Sequence, residues 1–338
     1  MNNTENLPII PIGHKIYGDN NEIGDTFYLA LNFYGTSEID LHSTVKDFTS
    51  AIIAAIFTPK HGIPLSNDST LESVSQYLIQ QGKMSPYEYY KLRNFADIAI
   101  KADDILSKSQ NKNSTTKKQT YDFDWIMRFF ENAGNIKNED LQELWAKILA
   151  KEISEPHSCS IRTLNIMHTL SPFEAKLFNH LCKFTLYSKN NSYFIPSEGF
   201  YDNIPYSEAM KEYITDEYNM NYIDNILPLV ECGLLSEGQT LASNFKKDRI
   251  LPLTNGKILC ITDATNSSEE ILFSEDEYFL TKSGIEIFHA VINTPTFETD
   301  IPYAIYYFSY LKNKYPNLKI TAHIGNINDG YDATDLLK

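Results

Sequence analysis

With 338 residues, 42% hydrophobic and 22% charged, the chain is long enough for two or three domains with cores of their own and has the balance of a soluble globular protein. Its formal charge of −15 opposes polyanions, so a nucleic-acid ligand would need a local basic patch. The four cysteines, Cys159, Cys182, Cys232 and Cys260, are scattered without CxxC spacing, which argues against a disulfide framework and for reduced thiols in the cytoplasm.

Residues 1–40 are rich in Pro, Gly, Asn and Asp, with short apolar runs, and predict irregular structure with one strand or helical turn. The N-terminus lacks the charged and apolar regions of a secretory signal. The longest apolar run, 48–57, falls well short of the roughly 20 residues a spanning helix needs, and predicts a core helix over 42–57. A second helix is expected over 70–81. A third starts at Ser85-Pro86-Tyr87-Glu88, a capping box with proline at the first helical position. Its inward face is expected to carry Tyr89, Leu92, Phe95, Ala96, Ala99 and Ile100. The polar, lysine-containing run 107–120 reads as a flexible linker.

Residues 121–185 hold both tryptophans and four closely spaced helical patterns. The first, over 123–133, has Ile126, Phe129, Phe130 and Ala133 as its stripe. Asn138 caps the second, where Leu141, Leu144, Trp145, Ile148, Leu149 and Ile153 follow a helical period. A third helix covers 160–170. The fourth opens with a second capping box, Ser171-Pro172-Phe173-Glu174. Beyond residue 186 the pattern changes to a short helix over 207–214, a longer one over 218–235 that is kinked or ended near Pro228, strands over 257–262 and 270–280, and a helix from Thr281. That order suggests a winged-helix-like region over 186–295, with the two strands as the wing hairpin. Residues 296–338 predict one helix, 303–315, one strand, 318–324, and a frayed polar tail. The expected fold is therefore mainly α with a smaller α+β part: an N-terminal helical region (1–106), a linker, a helical core and a winged-helix-like domain.

Asp124-Trp125, Leu141-Gln142, Leu144-Trp145-Ala146, Ile148-Leu149-Ala150, Glu152-Ile153, Pro156, Ser160, Arg162-Thr163-Leu164, Leu170-Ser171, Glu174-Ala175 and Phe178 form an ordered pattern. This run resembles a bacterial family known as domain of unknown function 2806. His157 is a departure, since the family pattern has glycine after the proline. The resemblance implies a helical core and brings no activity, cofactor or residue role. Related helical proteins are associated with abortive-infection responses to phage.

No phosphate-binding glycine loop, nucleophile elbow, zinc helix or dinucleotide fingerprint occurs in the sequence, and no catalytic residue, metal ligand or cofactor is expected. His157-Ser158-Cys159 as part of a thiol site, and His168 with Cys182 as a metal site, are both weaker readings than core or boundary packing. Packing does not explain the polar residues Asp124, Gln142, Glu152, Ser160 and Arg162. Arg162 is expected to pair with Glu152 or Asp124, or else to form an anion site with its helix N-terminus. Lys246, Lys247 and Arg249 are the one basic cluster available to DNA or another anion, in a region where acidic residues clearly outnumber basic ones. The function expected is a non-enzymatic interaction or regulatory protein, in phage defence or stress response, that acts through a protein partner or as a homo-oligomer. The alternatives are a DNA-binding regulator and an effector that perturbs membranes through its helix 41–57.

Overall fold

The computed structural model describes residues 38–42, 71–109, 118–189, 192–197, 226–236, 239–245, 249–265 and 270–338. The described chain divides into two units. One runs up to His168 and includes Asn293–Pro295; the other comprises Thr169–Ile292 and Thr296–Lys338. Of the expected helices, 207–214 lies outside the described residues, as do 43–57 and 218–225; His42 ends a strand and 226–235 is described.

The first unit is a helical layer with a two-stranded ribbon. Strand β1 (Glu38–His42) pairs antiparallel with β2 (Lys118–Asp122). Helices α1 (Leu71–Gln80), α2 (Pro86–Ser109), α3 (Phe123–Ala133), α4 (Glu139–Ser154) and α5 (Ile161–Thr169) complete the unit. Both halves of the capping box at α2 form: the Ser85 amide donates to the Glu88 carboxylate at 2.7 Å, and the Glu88 amide donates back to the Ser85 hydroxyl at 3.2 Å. The buried face of α2 is Leu92, Phe95, Ala99, Ala102 and Leu106, alternating steps of three and four. That period turns Ile100, expected inside, towards solvent, and Ile98 is buried instead.

The run 107–120 is shorter as a linker than its composition suggests. Helix α2 continues through Ser109, with the Ser107 and Ser109 hydroxyls bonded to the carbonyls of Asp104 and Ile105. From Lys118 the chain is already strand. Residues 110–117 lie outside the described residues.

An aromatic chain fills the core of this unit. Trp125 stacks on Phe129 at 5.2 Å, Phe129 meets Trp145 edge-on at 5.2 Å, and Phe95 packs edge-on against Phe129 and Phe130. Both tryptophans are buried: Trp145 lies on the stripe read for its helix, and Trp125 joins the stripe of Ile126, Phe129, Phe130 and Ala133. The cap of α3 is Asp122, whose carboxylate accepts from the amides of Asp124 and Trp125.

The second unit overturns the mainly-α expectation. It contains an antiparallel sheet of seven main strands with a two-residue eighth at one edge, in the order β10-β9-β7-β6-β3-β4-β8-β5. These are β3 (Leu186–Ser188), β4 (Tyr193–Pro196), β5 (Gln239–Phe245), β6 (Ile250–Thr254), β7 (Ile258–Asp263), β8 (Ile271–Phe279), β9 (Lys319–Asn326) and β10 (Gly330–Tyr331). The two strands expected to make a wing hairpin, now β7 and β8, do not pair: β6, β3 and β4 stand between them. β7 pairs with β6 and β9, while β8 pairs with β4 and β5. The structure is thus a helical core plus a broad sheet, because strands far apart in sequence complete each other's hydrogen bonding.

Helices α6 (Pro172–Leu181), α7 (Leu227–Glu231), α8 (Lys282–Ile292) and α9 (Ile301–Lys314) accompany the sheet. α6 opens with the expected capping box at Ser171 and Glu174. α9 lays Ala304, Tyr307, Phe308 and Leu311 onto the sheet face that carries Phe194, Leu253, Ile258, Cys260, Phe273, Ile320 and Ala322. The expected frayed tail is tied down. The amides of Asp332 and Leu336 donate to the carbonyls of Ile324 and Ala322, the Asp335 carboxylate accepts from the Ala322 amide, and Leu337 enters the core.

The junction of α7 and α8 explains two short sequence patterns. Gly233 ends α7 at φ +82, where a side chain would be strained, and its amide donates to the Val230 carbonyl. Thr281 then caps α8: its hydroxyl donates to the Gly233 carbonyl at 2.7 Å and accepts from the Gly284 amide at 3.1 Å. Gly284 lies so close to this turn that a Cβ would sit 2.2 Å from the Leu234 carbonyl oxygen.

Candidate functional site

The five polar residues singled out in the helical core do not form one cluster. Asp124 is exposed in the first turn of α3, where an acid suits the helix dipole. Gln142 is buried near the start of α4. Its amide nitrogen donates to the Ile136 carbonyl at 3.0 Å and its oxygen accepts from Lys101 at 3.1 Å, so it joins α2, α4 and the preceding loop. Glu152, Ser160 and Arg162 lie around the turn after α4, at the other end of that helix.

Glu152 is the centre of that turn. Its buried carboxylate accepts from the His157 amide at 2.7 Å, the Cys159 amide at 3.1 Å and the Ser158 hydroxyl at 3.2 Å. Burial pushes its pKa up, and the two amide bonds and the hydroxyl only partly oppose this. The expected pair with Arg162 is therefore not made: backbone donors take both carboxylate oxygens, and Arg162 is exposed. Ser160 caps α5, accepting from the Thr163 amide at 3.3 Å. Cys159 is buried with its sulfur against the Ser160 carbonyl, a packing position rather than that of an open thiolate. His168 is exposed and Cys182 buried. Among the described residues no group of three or more His, Cys, Asp or Glu is placed to hold a metal.

His157 sits at φ +64, the left-handed region, where the related pattern has glycine. The turn keeps its geometry because the Glu152 carboxylate holds the His157 amide. His157→Gly is expected to raise stability by about 1 kcal/mol, measured by denaturant unfolding, because a Cβ is disfavoured there by about that amount. A drop in midpoint would show that the imidazole makes a contribution larger than the strain.

The second unit contains a polar site that its sequence did not signal. Along β8, Phe273, Glu275, Glu277 and Phe279 point to the same face by strand alternation, towards α9. Tyr307 and Tyr310 on α9, and Lys314 and Tyr315 at its end, meet the two carboxylates. Glu275 is gripped by Lys314 through both oxygens, at 2.9 and 3.0 Å, by the Tyr315 hydroxyl at 2.5 Å and by the Tyr310 hydroxyl at 3.3 Å. Glu277 accepts from the Tyr307 hydroxyl and, at 3.0 Å, from the Ser197 amide. The Tyr315 oxygen also accepts from the Ser274 amide at 3.0 Å, and its one proton is shared between Glu275 and the Ser274 carbonyl at 2.8 Å.

Lys314 reaches Tyr310 through its oxygen. The ammonium is 2.8 Å from the hydroxyl and 5.2 Å from the ring centre, which places it beyond the phenol's polar end rather than over its face. Burial tends to lower the Lys314 pKa, but the bonds to Tyr310 and Glu275 outweigh it and the net shift is upward. Burial and the bond to Glu275 raise Tyr315 to about 12. Tyr307 is held well above the ordinary phenol value by burial and by Glu277. Raised folded values mean that this stabilisation is fully present below the unfolded value, pH 10 for Tyr315, and is lost as pH rises through about 12. Stability measured between pH 10 and 12 should therefore fall, and fall less steeply in Tyr315→Phe. Equal slopes would remove Tyr315 from the titration.

These two sites and two units describe a helical core joined in sequence to a sheet-and-helix unit, each braced by a buried carboxylate. The chain belongs to the family described as protein of unknown function (DUF2806), whose model matches residues 93–298. The match starts within α2 and ends after α8, so it includes Glu152, Glu275 and Glu277 but not α9 or β9. No curated protein and no solved structure matches the chain. No helix among the described residues is long and apolar enough to cross a membrane. Of the basic cluster, Arg249 is exposed, while Lys246 and Lys247 lie outside the described residues.

Proposed function

We propose that the protein is a cytoplasmic, non-enzymatic interaction or regulatory protein, working in phage defence by abortive infection or in a stress response. The reading is carried by the way its buried reactive groups are bonded to one another. Acid–base catalysis needs a carboxylate within reach of substrate and with a pKa near the working pH. Glu275 instead accepts from Lys314, Tyr310 and Tyr315, and Glu152 from a turn of its own backbone. Nucleophilic cysteine chemistry needs a thiolate. Burial pushes Cys232 up to about 11 and Cys260 up to about 12, which keeps both as thiols at neutral pH. Such groups brace a scaffold, and a braced scaffold suits recognition of a partner. The phage-defence setting comes from the association of related helical proteins with abortive infection.

The test is affinity capture of the full tagged chain from its native host, before and during phage infection. A specific protein recovered in either state, together with loss of protection on deleting the gene, is the expected result. Recovery of the chain alone and unchanged phage sensitivity would overturn the reading.

A further inference from the structure

Residues 332–338 form neither strand nor helix, yet they lie along the outer edge of β9 and are held there at a few points. The Ala322 carbonyl accepts from the Leu336 amide and the Ile324 carbonyl from the Asp332 amide, both at 2.8 Å. Asp335 supplies the return bond. One of its carboxylate oxygens accepts from the Ala322 amide at 3.1 Å and from the Leu337 amide at 3.0 Å, so it satisfies the edge and closes a turn of its own. The His323 ring reaches the Thr334 carbonyl at 3.1 Å, and Lys312 on α9 donates to the Leu337 carbonyl at 2.5 Å. Of the segment's side chains Leu337 alone is buried, in the cluster that α9 and the sheet form, while residues 328–334 are exposed.

We propose that residues 332–337 are an autoinhibitory strap: they fill, in cis, a groove between β9 and α9 that takes from a partner protein a segment of the same kind, a leucine with an aspartate two positions before it. Peptide addition to a sheet edge draws affinity from main-chain bonds and specificity from the side chains that enter the protein. Both parts are present. The carbonyls of Ala322 and Ile324 offer the main-chain bonds, the Ala322 amide reads the acid, and the core cluster with Lys312 at its margin reads the leucine. The choice of occupant comes from the strap itself, whose chemistry already fits the groove. Its hold is one apolar side chain and a set of bonds around exposed residues, which places it among the segments that open without unfolding the sheet. This deepens the interaction reading and rests on it: it names a surface and the segment that the surface binds.

The experiment is fluorescence anisotropy of a labelled peptide of residues 331–338, titrated with the full chain and with the full chain carrying Asp335→Ala and Leu337→Ala. These substitutions loosen the strap and leave β9 and α9 as they are. The peptide should bind the variant about tenfold or more tightly than the unmodified chain, whose groove is open about a tenth of the time or less. A peptide with the same two alanines should bind the variant about tenfold or more weakly than the natural one, because it lacks both the acid and the anchor. No binding to a variant whose near-ultraviolet circular dichroism matches that of the unmodified chain, or equal binding of the two peptides, would overturn the proposal. Should the double variant fail to fold, Asp335→Ala alone, which keeps Leu337 in the core, is read by the same two comparisons. A strap variant that takes no peptide yet still captures a host protein would sink the groove and leave the interaction reading standing.

Discussion

Glu152→Ala should destabilise the protein by about 3 kcal/mol, because it removes one acceptor group from three donors of the turn after α4. Leaving a buried donor unsatisfied costs on the order of 1–3 kcal/mol, and the Cys159 amide is buried whereas the His157 amide is reached by some water. The raised pKa of Glu152 has a second consequence. Its protonated form is the one burial favours, so proton uptake by this group strengthens the fold as pH falls through its folded value, and Glu152 does not contribute to acid unfolding. Glu152→Gln keeps the shape and one acceptor oxygen but turns an amide donor towards donors, so it should fall between wild type and Ala. Urea unfolding at neutral pH checks the order. A Glu152→Ala midpoint equal to wild type would mean that the turn holds itself without the carboxylate.

Gly284→Ala should be comparably damaging, at about 3 kcal/mol or more, with the second unit affected first. The added Cβ would lie 2.2 Å from the Leu234 carbonyl oxygen, and backbone cannot swing aside as a long side chain can. That carbonyl accepts from the Thr281 amide at 3.0 Å, so moving it also strains the cap of α8. Overpacking in a well-filled site costs about 1–3 kcal/mol and more where the obstacle is rigid. Ser283→Ala, one residue earlier, serves as the control for helix propensity. Thermal unfolding followed by near-ultraviolet circular dichroism would give the answer. A Gly284→Ala melting temperature within error of Ser283→Ala would show that α8 simply shifts to make room.

The helices between residues 85 and 186 were legible because their causes are local. Ser85, Asn138 and Ser171 announce starts by chemistry that acts over three residues, and Phe129 and Trp145 fall on stripes that a period of 3.6 reveals. Glu152 could be picked out as a polar residue on an apolar helix, but its partners could not. Sequence reasoning assigned it an arginine, and the backbone of its own turn supplied the donors. The sheet was hidden for a different reason. β3 and β4 are three and four residues long, and β5 is polar, so none carries a pattern of its own. In β8 one face mixes apolar and acidic residues, Phe273, Glu275, Glu277 and Phe279, and the other carries Leu272, Ser274 and Tyr278. Neither face reads as buried until α9 brings tyrosines to the carboxylates. Proximity in sequence made β7 and β8 look like a hairpin; the pairing partners of each lie elsewhere in the chain.

The order of strands in that sheet also sets a timetable for the ribosome. β7 is synthesised long before its outer neighbour β9, and β8 before the helix whose tyrosines satisfy its two glutamates. Until residues 301–326 have emerged, one face of the nascent sheet lacks Tyr307, Phe308 and Leu311, and the carboxylates of Glu275 and Glu277 lack their phenols. The helical unit contains its own caps and stripes within residues up to 168 and meets no such delay, apart from the short return of 293–295. A sheet formed before α9 is available would expose that apolar face, the kind of surface that makes incomplete chains prone to aggregate. A stop codon placed before Ile301 would make that interval permanent.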